Sequence, residues 1–144
     1  MEGNSRVFVD SNYFIAFFNP ADALHRRAIV AAKKLYAEDA VFVISNFIFL
    51  EVVTVLSQRV GRESALRVGA YLLDDPKVEV IHIDSSLQEA TWGIFRRVPG
   101  KDIGFVDCSI LAVMHAEAIR PLLTFDVKDF RPLLRQYYFA FYEK

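Results

Sequence analysis

Short β-branched or aromatic runs alternate with longer stretches of helical periodicity, and no two of the short runs are joined by a hairpin turn. This alternation narrows the available folds more than any other feature. Antiparallel neighbours can be joined by two residues, whereas parallel strands need a crossover of a dozen or more, usually a helix. Arg6–Val9 is an apolar run ending at Asp10, and Asn12–Phe18 is apolar around most of its circumference, stopping at Asn19-Pro20. Pro20 is placed to open a helix whose Leu24, Ala28, Ile29, Ala32 and Leu35 recur at helical spacing. Val41–Ile44 reads as a second strand and Asn46 to about Val60 as a strongly apolar helix closed by Gly61. Glu63–Leu73 is a further helix, followed by a turn at Asp74-Asp75-Pro76. Val78–Ile83 alternates like a strand, Ser85–Val98 is an amphipathic helix, and Pro99-Gly100 is a sharp break. Phe105 to about Ile119 is a buried-looking helix, and Leu122–Phe125 is a strand leading to Asp126. Tyr137–Tyr142 is apolar on both faces and either completes the sheet or packs against a second chain. The expected architecture is α/β, with a central parallel sheet of four to five strands covered by helices on both faces.

Size and charge agree with one domain, residues 1–144, large enough for a core without disulfides or structural metals. Hydrophobic residues make up 53% of the chain and the formal net charge is -1, which excludes intrinsic disorder. A pI near 6.3 argues against a dominating basic surface for gripping duplex DNA. The lone Cys108 rules out an internal disulfide framework, so a reducing, cytoplasmic setting is expected. Met1–Arg6 leads straight into VFVD without the regions of a signal peptide. Ala40–Ser57 contains Glu51 as its sole charge, but Ser45-Asn46 divides the stretch into two shorter elements, so no membrane partner is expected.

Four acids stand out against these apolar elements. Asp10 and Asp126 lie at strand ends, where parallel α/β sheets place their sites. Glu51 lies within NFIFLEVVTVL and Asp107 within IGFVDCSILAVM, and no Lys or Arg stands within one helical turn of either. A buried carboxylate costs several kcal/mol unless it is paired, hydrogen-bonded or bound to a metal. Taken singly, Asp10 and Asp126 suit N-caps, Glu51 a salt bridge to a distant Arg, and Asp107 the solvent edge of its helix. Taken together, the four suit a cluster of hard oxygen ligands for Mg²⁺ or Mn²⁺. Ions of this kind serve phosphodiester hydrolysis.

The segments VDSNYFIAFFNPADALH, SNFIFLEVVTVLSQRVG, FVDCSILAVM and LLTFDVKDF, in that order, resemble the successive motifs of the PIN-domain ribonucleases, above all the VapC-type toxins of toxin–antitoxin systems. The resemblance runs from about Val7 to Phe130 and implies a three-layer α/β/α PIN-like fold. It matches Asp10, Glu51, Asp107 and Asp126 to the family's four acidic metal-site residues, with Asp10 and Asp107 as the firmest ligands. Ser11 stands where the family usually has Ser or Thr, Thr124 matches its hydroxyl two residues before the last acid, and Asn12 matches a frequent residue. Asp102 is an additional candidate acid, otherwise an N-cap or a solvated loop residue. The implied activity is metal-dependent endonucleolytic cleavage of RNA by an activated water, with no side-chain nucleophile. The implied partner is a small antitoxin protein. Separately, the apolar excess of the chain leads to the expectation of a partner or dimer interface, hence a second copy of the chain. A PIN-domain RNase without a toxin role and a non-cutting RNA- or protein-binding scaffold are the alternatives; a scaffold has no need to hold four acids in apolar helices.

Arg59 and Arg62 follow the second motif, and Arg96, Arg97 and Lys101 precede the third, which makes them candidate phosphate contacts if they are not simply solvated helix ends. Setting the four acids aside as ligands leaves 17 basic residues against 14 acidic ones, which removes the charge objection to RNA. His25, His82 and His115 lack zinc-site spacing, with His25 read as a surface residue, and no nucleophile elbow, Walker A or dinucleotide fingerprint is present.

Overall fold

The computed structural model describes residues 5–100 and 102–142. Its strands are β1 (Arg6–Val9), β2 (Val41–Ser45), β3 (Val78–Ile81), β4 (Pro121–Leu123) and β5 (Ala140–Phe141). They form one sheet in the order β3-β2-β1-β4-β5, and every neighbouring pair is parallel. The register sets Phe8 opposite Val43 on one side and Leu122 on the other. Val7, Phe8 and Val9 are all buried, as a strand covered on both faces requires.

The longer helices are α1 (Ser11–Phe18), α2 (His25–Ala37), α3 (Asn46–Arg59), α4 (Arg62–Asp74), α5 (Ser85–Arg97) and α6 (Phe105–Ala116). Two one-turn helices, α7 (Val127–Phe130) and α8 (Leu134–Tyr137), flank a 3₁₀ turn at Arg131–Leu133. α1 packs on α2 and α3, α3 on α4, and α5 on α6. Right-handed crossovers then place α1–α4 over one face of the sheet and α5–α6 over the other. The core joins Phe8 and Phe42 of the sheet to Phe14, Leu35, Leu56 and Ile110 of the helices, all buried. This is the α/β/α architecture that the alternation predicts, with five strands.

Local corrections have simple causes. The second helix starts at His25, because Asn19 and Asp22 spend their side chains on turns, accepting from the N–H of Ala21 and of Leu24. His25 is half-buried rather than a free surface residue, its Nδ1 donating to the Ala16 carbonyl at 2.7 Å. The apolar stretch from Ala40 breaks at Ser45, whose hydroxyl caps α3 by accepting from the Ile48 N–H. Among the described residues, no helix is long and apolar enough to cross a membrane. The Leu122–Phe125 strand pairs only to Leu123, and of Tyr137–Tyr142 only Ala140–Phe141 joins the sheet, completing its edge beside β4.

The order of the strands locates the crevice. From β1 the chain builds outward through β2 to β3, then returns past β1 to lay down β4 on its other side. The carboxyl ends of β1 and β4 therefore flank the topological switch point, where open α/β sheets bind their ligands.

Candidate active site

β1 ends at Asp10, and α1 begins with the next residue. The Asp10 carboxylate accepts from the Ser11 N–H at 2.7 Å and from the Thr124 hydroxyl at 2.8 Å, and the residue is only 4% exposed. Thr124, immediately after β4, also accepts from the Asp126 N–H at 3.0 Å. Asn12 spans the same gap: its amide donates to the Thr124 hydroxyl at 3.4 Å and its carbonyl accepts from the Phe125 N–H at 3.2 Å. Together these bonds fasten the start of α1 to the loop after β4, and that loop carries Asp126.

The two helix-borne acids reach the same place. Glu51, on the second turn of α3, accepts from the Ser11 hydroxyl at 2.8 Å. Among the described residues it forms no salt bridge, so a distant Arg does not account for it. Asp107, in the first turn of α6, is half-buried and accepts from the Gly104 N–H at 3.1 Å. Asp10, Ser11, Asn12, Glu51, Asp107 and Asp126 line one pocket of about 320 Å³. Asp126 stands at the N-cap position of α7 without making a side-chain capping bond, so its carboxylate is not consumed there.

Charge crowding follows from this placement. Burial pushes the Asp10 carboxyl up to about 7; the Thr124 bond pulls it back, while the charges of Asp107 and Asp126 raise it. Burial likewise raises Asp107 to about 6, against the Gly104 N–H and with the help of the Asp126, Asp129 and Glu51 charges. Cys108 beside it is buried, and burial together with Asp107 lifts its thiol to about 11, which leaves it an inert core residue.

The donors are all oxygens and carry surplus negative charge, the chemistry that suits a hard divalent cation such as Mg²⁺ or Mn²⁺. Among the described residues, no three acids stand close enough to grip one ion as they are now held. Each of Asp10, Glu51 and Asp107 leans on a hydroxyl or backbone N–H instead. The set fits such an ion in chemistry, with side-chain adjustment needed in geometry.

Of the candidate basic residues, Arg59 lines the pocket, from the last turn of α3. Arg62 at the start of α4 and Arg96 and Arg97 at the end of α5 are exposed and do not line it. Lys101 lies outside the described residues. Asp102 is exposed and lines a different cavity with Lys128 and Asp129. Gly104 takes the N-cap position of α6, so Asp102 is a solvated loop residue, turned outward while its neighbour Ile103 is buried. The sequence reading missed Asp22, a fifth acid on the pocket wall. Placing residues from Pro20 onward in a helix hid it, although the Asn19-Pro20…Asp22 string carries the signal of a turn.

Comparison with known proteins shows the family and the fold. The PIN-domain family profile matches residues 7–132. The chain is 32% identical over 121 residues to the 23S rRNA-specific endonuclease VapC20 of Mycobacterium tuberculosis, covering 83% of this chain and 88% of that protein. The crystal structure of that sarcin–ricin-loop-cleaving toxin superposes with a TM-score of 0.76 at 31% identity, over 88% of this chain and 93% of the other. The fold is shared with a toxin–antitoxin complex from Klebsiella pneumoniae at a TM-score of 0.61 and 20% identity, covering 86% of this chain and 89% of that one. It is also shared with VapBC2 of Rickettsia felis, bound to a DNA fragment from its promoter, at a TM-score of 0.62 and 18% identity, over 88% and 92% of the two chains.

Proposed function

This chain belongs to the PIN-domain family, and from that premise we propose that it is a Mg²⁺- or Mn²⁺-dependent endoribonuclease acting as the toxin of a toxin–antitoxin pair. The observation that carries the reading is the four carboxylates of Asp10, Glu51, Asp107 and Asp126 around one pocket at the sheet's switch point. Two of them are driven well above the ordinary carboxylate range by burial and by one another. Such crowding is costly in a purely structural pocket and is relieved by a divalent cation.

Asp10 and Asp107 are the proposed principal ligands, with Glu51 and Asp126 completing the set directly or through water. A bound cation supplies Lewis-acid activation of water and charge neutralisation at the scissile phosphate. Ser11 and Thr124 hold the carboxylates of Glu51 and Asp10 in place, as hydroxyls behind metal ligands do. Asn12 keeps the Asp126 loop against α1. Arg59, at the pocket wall, is the proposed phosphate contact of the site itself.

Beside Glu51, an apolar cleft is formed by Phe47, Leu50, Thr54, Val55 and Phe105, with Leu50 64% exposed. Trp92 is 53% exposed nearby on α5, whose Phe95 packs on Phe105. Apolar surface of this kind supports protein partners, here an antitoxin and a second copy of the chain, acting together in the cytoplasm. Purified ribosomes and isolated 23S rRNA are the first substrates to test. With Mg²⁺ or Mn²⁺ the wild type is expected to cut at a discrete site, and EDTA, Asp10→Asn or Asp107→Asn to abolish cutting. Equal cleavage by all three proteins, or cleavage that survives EDTA, overturns the proposal.

A further inference from the structure

The acid pocket has a neighbour of opposite character. A groove of about 920 Å³ is lined by Arg27, Arg120, Arg131 and Arg135, with no acid among the described residues that line it. Two chain segments contribute to both cavities. Asp126 faces the acid pocket and Val127 the groove, while Leu24 faces the acid pocket and Arg27, one helical turn further on, the groove.

The groove wall has a definite construction. Val127, Arg131, Leu134, Arg135 and Tyr138 recur at helical spacing along the short helices that follow Asp126, forming one stripe. Arg120, just before β4, lies over the Tyr138 ring at 4.1 Å, Arg131 over Phe141 at 5.8 Å, and Arg27 over Phe125 at 4.8 Å. Tyr138 is 71% exposed and held in the left-handed backbone region, φ 53°, which turns the chain from α8 into β5. Among the described residues, Arg120, Arg131 and Arg135 form no ion pair with a carboxylate.

Planar guanidinium forks match phosphate oxygens, and exposed aromatic faces accept stacked bases. The acid pocket by itself repels a polyanion. An arginine groove that begins one residue from Asp126 answers that repulsion where RNA must approach. Building on the nuclease reading above, we propose that this groove binds the backbone and bases of a single-stranded or looped RNA segment adjoining the phosphodiester bond at the acid pocket. The acids would carry the chemistry and the arginines the grip.

Binding can be separated from cutting by measuring fluorescence anisotropy in EDTA, with a fluorescein-labelled RNA stem–loop and a single-stranded RNA oligonucleotide as probes. Arg131→Ala with Arg135→Ala is expected to weaken binding roughly tenfold or more and to lower the salt-dependence slope by about 0.7 for each lost contact. Lys33→Ala with Arg67→Ala removes the same charge from exposed positions outside the groove and is expected to change binding less than about threefold. Unchanged melting temperatures exclude misfolding, and Arg131→Lys with Arg135→Lys is expected to recover part of the affinity through charge alone. Wild-type RNA binding by the Arg131/Arg135 double Ala variant, or equal losses in both Ala pairs, overturns the proposal. So does a variant that keeps RNA but loses an Asp/Glu-rich peptide bound by the wild type, because the groove is then a protein site. If the wild type binds RNA through these arginines yet never cuts it, the nuclease reading fails and the groove stands as an RNA surface. If the wild type cuts and the double variant binds undiminished, the groove alone fails.

Discussion

Asp10 is the residue whose protonation matters most to this fold. Its folded-state value of about 7 lies above the 3.8 of an ordinary Asp, the largest cause being burial. Because the folded value is the higher one, the stability it contributes is fully present below pH 3.8 and is lost as pH rises through about 7. The loss amounts to about 4 kcal/mol across that window. Asp10→Asn keeps the shape without the charge. In EDTA it is expected to melt above the wild type at pH 8, with the difference closing by pH 4; thermal unfolding at the two pH values checks this. The same substitution should lower cleavage about a hundredfold or more, the trade expected if Asp10 is the proposed metal ligand, held at the expense of stability. Ser11→Ala removes the hydroxyl on which Glu51 leans. About a tenfold fall in cleavage with unchanged melting is expected, and full activity would mean that something else positions Glu51.

At the scale of elements, strong periodicity carried furthest. α3 through α6 lie close to where the apolar spacing puts them, since each buries a stripe that the sequence displays. The short pieces did not read as well. α7 and α8 have four residues each, too few for a periodic signal, and β5 pairs only two of the six residues in its apolar run. The α3–α4 contact offers a stability test. Gly69 is buried inside α4, and a Cβ there would meet Val53 at 3.5 Å and Phe49 at 3.7 Å, ordinary contact distances. Gly69→Ala should therefore stabilise the protein by about 0.5–1 kcal/mol, measured by chemical denaturation. A loss of stability would show that the two helices lie closer than these contacts indicate.

For the whole molecule, the proposed cation binding would be coupled to proton release. A ligand that binds only the folded state at a hundredfold excess over its Kd adds about 2.7 kcal/mol. Mg²⁺ or Mn²⁺ is expected to raise the melting temperature clearly at pH 8 and much less at pH 5.5, where Asp10 and Asp107, near 7 and 6, must first lose protons. The double variant Asp10→Asn, Asp107→Asn should show no such rise, as followed by calorimetry.

What the sequence determined by itself is the class of fold and which four acids stand out against apolar elements. Alternation without hairpins demands a parallel sheet, and a charge inside an apolar helix is visible in one dimension because its neighbours are. Only the tertiary structure decided which side chains share the pocket. Strand order brings Asp10 and Asp126 together from 116 positions apart, and it admits Asp22 and Arg59 while leaving Asp102, Arg62, Arg96 and Arg97 outside. It also decided where the basic residues gather. Arg27, Arg120, Arg131 and Arg135 come from three separate parts of the chain, and nothing in their local spacing foretells that one groove collects them. Local pattern reports what a residue needs from its surroundings; the sheet's topology determines which residue, far along the chain, supplies it.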